Sequence, residues 1–144
     1  MQKYRYVSHT ADMAFIGYGS TLRMAVQNSA LALLNVMLDL RSIEKDKSKE
    51  AGIAINELAA DKEELVWFTL QDVLSKVDSK KLNALRLDSI KIKEGPKGIR
   101  LSAKLVYKKS KKDNSLLSVK AVTPHDLTVR KEHGIYSVHV VVDV

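Results

Sequence analysis

Residues 3 to 7 (KYRYV) alternate and carry aromatics, and residues 13 to 18 (MAFIGY) are almost wholly apolar, two patterns that predict strands. A helical period follows. Leu22, Val26, Ala30, Leu33 or Leu34, and Met37 recur three to four positions apart in "TLRMAVQNSALALLNVMLDL", with Ser20 and Thr21 as candidate caps. A charged link at 41 to 50 leads to residues 51 to 58 (AGIAINEL), where Ile53 and Ile55 fall on one side of a predicted strand. Asp61 with Glu64 three residues later imitates a capping box and opens a second helix, "KEELVWFTLQDVLSKVD". On it Val66, Leu70, Val73 and Val77 make an apolar face, while Leu65, Phe68 or Thr69, Asp72 and Lys76 share another.

The remaining pattern is β. Strands are predicted at 85 to 93, 99 to 108, 117 to 122, 127 to 131 and 135 to 143, separated by "EGPKG", "KSKKDNS", "TPH" and "KEHG". The last pair reads as a hairpin through Glu132, His133 and Gly134. Strands and helices do not alternate regularly enough for a doubly wound parallel sheet. The expected class is α+β: a single two-layer domain over 1–144, with two helices packed on a mixed, mostly antiparallel sheet.

With 144 residues and 45% hydrophobic content, the chain can build one core without a structural disulfide or metal. It has no cysteine, which excludes a thiol nucleophile, a disulfide framework and any thiolate metal site. No signal peptide and no membrane-length apolar run is visible, so a cytoplasmic protein is expected, with no membrane partner. The net charge of +7 and pI near 9.5 fit a polyanionic partner, an acidic protein surface or a solvated Lys-rich exterior. Lys104, Lys108, Lys109, Lys111 and Lys112 concentrate around a single acid, Asp113, as on a lysine-dressed hairpin tip.

Two carboxylates sit where apolar neighbours make them costly. Asp12 precedes Met13, Ala14, Phe15 and Ile16, and Asp143 is penultimate in "VHVVVDV". In that last segment Val138, Val140, Val142 and Val144 alternate with His139, Val141 and Asp143, so Asp143 belongs to the less apolar face. The α-carboxylate at Val144 would add a second anion beside it. If the first and last strands are neighbours, Asp12 supplies further oxygens, a set suited to a hard divalent cation. The alternative has Asp12 capping a turn after Thr10 and Asp143 as a solvated terminal charge, and spacing alone favours it.

Other chemistry finds little support. The four histidines, His9, His125, His133 and His139, form no HxxxH pair, and there is no GxSxG elbow. Gly17 and Gly19 lack the context of a phosphate loop. Trp67 and Phe68 lie inside a helix and read as packing rather than a base-stacking platform. An autonomous metal-dependent hydrolase would need more convergent polar groups. A basic RNA-binding or chaperone-like module accounts for the charge but not for Asp12 and Asp143.

The two ends together carry a resemblance. "SHTADMAFIGYGSTLRMAVQNSALALLNVM" at 8 to 37 resembles the opening of the archease family, with its HTAD-type motif, Gly-containing strand and helix. "VKAVTPHDLTVRKEHGIYSVHVVVDV" at 119 to 144 resembles the family's close, a KAVTYH-like motif and a hairpin ending in a penultimate Asp. The resemblance implies a small α+β protein that is not itself an enzyme. It implies a cofactor of an RtcB-type RNA ligase, which joins tRNA halves in tRNA splicing using GTP and a divalent metal. The helper would promote ligase guanylylation and multiple turnover and broaden nucleotide use, with tRNA contacted only indirectly or weakly. By the same resemblance, Asp12, Asp143 and Val144 would hold a divalent ion, Ca²⁺ first and Mg²⁺ or Mn²⁺ as alternatives. Lys120, His125 and Asp72 are candidate ligase-activating residues. Two positions depart from the pattern: Pro124 stands where a Tyr is usual, and Asp72 where a Glu is usual.

Overall fold

The computed structural model describes residues 1–8 and 12–144. The elements run β1 (Tyr4–Val7), β2 (Met13–Gly19), α1 (Leu22–Met37), α2 (Leu40–Lys45), β3 (Glu50–Ala59), α3 (Lys62–Lys80), β4 (Asn83–Gly95), β5 (Gly98–Lys108), β6 (Ala121–Glu132) and β7 (Ile135–Asp143). The α+β class is therefore as expected. Its strands form two sheets rather than one, ordered β1-β2-β7-β6 and β3-β5-β4, and every pairing among the described residues is antiparallel.

Both long helices start where the sequence says they should. Thr21 caps α1 by accepting from the Met24 N–H at 3.1 Å. Asp61 caps α3 by accepting from the Glu64 N–H at 2.8 Å, while Glu64 Oε1 accepts from the Ala60 N–H at 3.0 Å. The apolar faces are buried, with Val26, Ala30, Leu33 and Leu34 on α1 and Val66, Leu70 and Val73 on α3 inaccessible to solvent. α1 packs on β2, β4 and β7 and α3 on β3, β5 and β6, so each helix touches both sheets and a single apolar cluster joins them. At Gly17 the packing is backbone to backbone: an added Cβ would lie 2.9 Å from Ser29 N and Cα, so the glycine serves the approach of α1 to β2, not a phosphate loop.

Three segments differ from expectation. The charged link holds α2, because Asp39 caps it through the Ser42 N–H at 3.1 Å and Ile43 is fully buried. The strand predicted at 117 to 122 is strand only from Ala121, residues 117 to 120 belonging to the crossing, and it continues into the one predicted at 127 to 131 as a single strand, β6, interrupted between Thr123 and Thr128 by an irregularity in which Asp126 takes φ 61. Pro124 falls in that unpaired stretch, where its missing N–H costs no ladder bond. Finally, the lysine-rich segment is not a hairpin tip. β5 pairs with β3 and β4, β6 pairs with β7, and the chain between them crosses from one sheet to the other.

That crossing is pinned at several points. Asn83 Nδ2 donates to the carbonyls of Ser110 and Lys112, both at 3.0 Å, and Asn114 Nδ2 donates to Asn83 Oδ1 at 3.1 Å. The Asp39 N–H reaches Asn114 O at 2.9 Å, and the Leu116 N–H reaches Met37 O at 2.8 Å. The β6–β7 hairpin turns through His133 (φ 51) and Gly134 (φ 76) between paired Glu132 and Ile135, the left-handed pair that a two-residue type I′ turn requires.

Candidate functional site

β7 is central in its sheet, hydrogen-bonded to β2 on one side and β6 on the other. The β2 register ends with Met13 opposite Val142, so Asp12 follows at the step where β7 reaches Asp143. On the other side Ala121 pairs with Asp143, and the Lys120 N–H donates to Asp143 O at 2.7 Å. Directly paired positions of an antiparallel ladder lie about 4.5–5.5 Å apart between Cα atoms. Asp12, Asp143, Val144 and Lys120 thus gather at one end of this sheet, although Asp12 and Asp143 lie at opposite ends of the sequence.

Asp12 and Asp143 are half-buried, and Val144 and Lys120 are exposed. Alternation along β7 buries Val138, Val140 and Val142 completely, and Asp143 falls on the other face with His139. The proposed turn cap by Asp12 and the position of His9 involve residues outside those described. Among the described residues no three His, Asp or Glu side chains cluster as metal ligands; the candidate donors among them are two side-chain carboxylates and the oxygens of Val144. That set is all oxygen, which suits a hard cation, and it leaves coordination positions to water or a partner.

The remaining candidates are elsewhere. His125 is exposed in the irregular part of β6, where its carbonyl accepts from Thr123 Oγ1 at 3.3 Å. Asp72 stands on α3 and is paired with Lys76, 2.5 Å from Asp72 Oδ1 to Nζ, one helical turn on. Its other neighbour is Glu57 of β3, a residue the sequence reading passed over. Glu57 shares parity with Ile53 and Ile55 and so faces inward, and its Oε2 is buried without a hydrogen-bond partner. Burial first, and Asp72 second, push the Glu57 carboxyl up to about 8, against the opposing charge of Lys76. Burial also acts to raise Asp72, but hydrogen bonding with Glu57 and the Lys76 ammonium outweigh it and hold Asp72 below its ordinary value. A proton on Glu57 turns the lone oxygen into a donor toward Asp72.

Trp67 is an anchor. Its indole N–H donates to Val122 O at 2.8 Å, and the Val122 N–H donates to Gln71 Oε1 at 2.9 Å, tying α3 to β6 two residues from Lys120. With Phe68 packed on it at 5.3 Å between ring centroids, the indole forms no open stacking platform.

Comparison with known proteins fits this architecture. Residues 4–144 match the model of the archease protein family (MTH1598/TM1083). The chain belongs to the archease family. Protein archease of Methanosarcina acetivorans is 31% identical over 147 residues, covering 99% of this chain and 97% of that protein. Protein archease of Sulfolobus acidocaldarius is 29% identical over 146 residues, covering all of both. Among solved structures, protein 1598 of Methanobacterium thermoautotrophicum superposes with a TM-score of 0.79 at 26% identity over the full length of both chains. A Thermotoga maritima structure described as an archease and "possible chaperone" shares the fold, with a TM-score of 0.56 at 18% identity.

Proposed function

We propose that this chain is the protein cofactor of an RtcB-type RNA ligase in tRNA splicing, promoting ligase guanylylation and repeated turnover and widening nucleotide use. Family membership across nearly the whole chain supports an archease role. The observation that carries the finer reading is the pairing of β7 with both β2 and β6, which brings Asp12, Asp143 and Lys120 to one sheet end.

Asp12, Asp143 and the oxygens of Val144 would hold the divalent ion, Ca²⁺ before Mg²⁺ or Mn²⁺. When bound, such an ion neutralises the carboxylates and offers positive charge to phosphate oxygens of a partner. The half-buried carboxylates fix their own oxygens on a ladder that cannot shift register without exposing Val138, Val140 and Val142. Lys120 adds an exposed ammonium at the same edge, and its backbone N–H holds the Asp143 carbonyl. His125 would contribute from a more distant point on β6. Asp72 acts in this reading through the stability of α3, because Lys76 and Glu57 already occupy it. Help to the ligase requires that these groups bind its activated state better than its resting one.

Multiple-turnover RNA ligation by the cognate ligase with GTP and divalent metal tests the proposal. The wild-type chain stimulates turnover, and folded Asp12→Ala and Asp143→Ala variants return it to the level of ligase alone. Absence of stimulation by the folded wild type contradicts it and leaves the basic RNA-binding or chaperone-like module as the reading to test.

A further inference from the structure

A groove of about 670 Å³ lies where the C-terminal end of α3 meets the crossing segment. Its rim carries Lys80 and Lys81 from the end of α3, Lys111 and Lys112 from the crossing, and two acids, Asp78 and Asp113. Lys112 is engaged, with Nζ donating to Ser42 Oγ at 3.2 Å. Lys80, Lys81 and Lys111 are exposed; after hydrogen bonding by Ser115, the Lys81 charge helps to hold the Asp113 carboxyl below its ordinary value, and among the described residues Lys80 and Lys111 make no ion pair or side-chain hydrogen bond. Beside them Leu116 is 63% and Leu117 39% exposed, both among the chain's few large exposed apolar side chains. Two neighbouring leucines left in water next to exposed lysines form a mixed surface, not a solvated charge run.

The wall is preformed. The Asn83 and Asn114 side chains and the Leu116–Met37 backbone bond hold the crossing in place, so binding there costs little loop ordering. The groove also lies near the carboxylate end of the other sheet, because its lining includes Ser118 and Val119, and the next residue, Lys120, donates its N–H to Asp143 O at 2.7 Å. An occupant of the groove would lie near the backbone that bonds Asp143.

We propose that this groove seats an acidic, leucine-bearing segment of a partner protein, and so delivers that partner to the carboxylate edge. The lysines match acidic side chains, and the leucines match apolar ones. RNA fits less well: no aromatic side chain lines the groove for base stacking, and phosphates gain nothing from the leucines. The groove stands on its own geometry; only the identity of its partner as the ligase rests on the function proposed above.

The test uses fluorescence anisotropy with three probes: a labelled peptide of glutamate and leucine, the same peptide with serine for leucine, and oligo(A) RNA. The proteins are the wild type, Lys80→Glu combined with Lys111→Glu, and Leu116→Ser combined with Leu117→Ser, all at exposed positions. The glutamate–leucine peptide binds the wild type, and each double variant weakens it about tenfold or more, a change of about 1.4 kcal/mol. The serine peptide binds more weakly than the leucine peptide. Equal peptide binding to all three proteins, no peptide binding to the wild type, or RNA binding that responds only to the lysine change each overturns the groove. Should a double variant fail to fold, Lys111→Glu and Leu116→Ser alone carry the same comparison. Direct binding to the cognate ligase separates the two proposals. The groove variants lose it and Asp143→Ala keeps it without stimulating turnover, whereas a wild type that ignores the ligase refutes the activator reading while the peptide result still decides the groove.

Discussion

Glu57 shows how one residue's environment becomes a property of the folded chain. Its carboxyl is held up to about 8, far above its ordinary 4.5, chiefly by burial and then by Asp72. Between those two values the folded chain binds a proton that the unfolded chain has released. The stabilising contribution is therefore complete at acid pH and fades as pH rises through the window up to about 8. Asp72 has the opposite sign: held below its ordinary 3.8, it stabilises above that pH and loses the contribution on acidification. Thermal melting against pH should show wild-type stability falling toward alkaline pH, and Glu57→Gln should flatten that limb. Parallel curves would mean that Glu57 carries no proton near neutrality. Glu57's inward parity was readable from "AGIAINEL", and the Asp72–Lys76 pair from its spacing of four. Their meeting was not, because it joins a strand to a separate helix packed on it.

At the scale of elements, local chemistry was the legible part. Thr21, Asp61 and the His133–Gly134 turn do what their side chains and backbone preferences dictate, and the strands at 85 to 93, 99 to 108 and 135 to 143 lie within β4, β5 and β7. The crossing between β5 and β6 was misread because its lysines suggested an edge-protecting tip. What holds it is a pair of buried asparagines with no periodic signal, Asn83 at 4% and Asn114 at 6% exposure. Removing Asn83 strands the Asn114 amide and two crossing carbonyls. Asn83→Ala should lower unfolding free energy by about 1–3 kcal/mol in denaturant titration, the cost of leaving buried polar groups unmade. Hydrogen exchange should rise at Leu116, whose N–H bonds to Met37 O, ahead of the β5 ladder. Unchanged exchange there would assign the crossing's order to its backbone bonds instead, the Leu38–Ser115 bridge and the Leu116 N–H to Met37 O.

At the scale of the molecule, nonlocal pairing decides everything the sequence left open. Strand existence follows from alternation, but which strands pair depends on contacts between distant segments, so two antiparallel sheets could not be told from one mixed sheet. No helix among the described residues is long and apolar enough to cross a membrane. The same nonlocality governs the candidate site: Asp12 and Asp143 were singled out by their apolar neighbours, yet only the β2–β7 register puts them at one edge. The role proposed for this edge is to speed activation of the ligase, and the direct measurement is the rate of ligase guanylylation with labelled GTP. The wild-type chain should accelerate formation of the ligase–GMP adduct, while folded Asp12→Asn and Asp143→Asn leave the rate of ligase alone. Equal acceleration by wild type and both variants, or none by the wild type, would contradict the account.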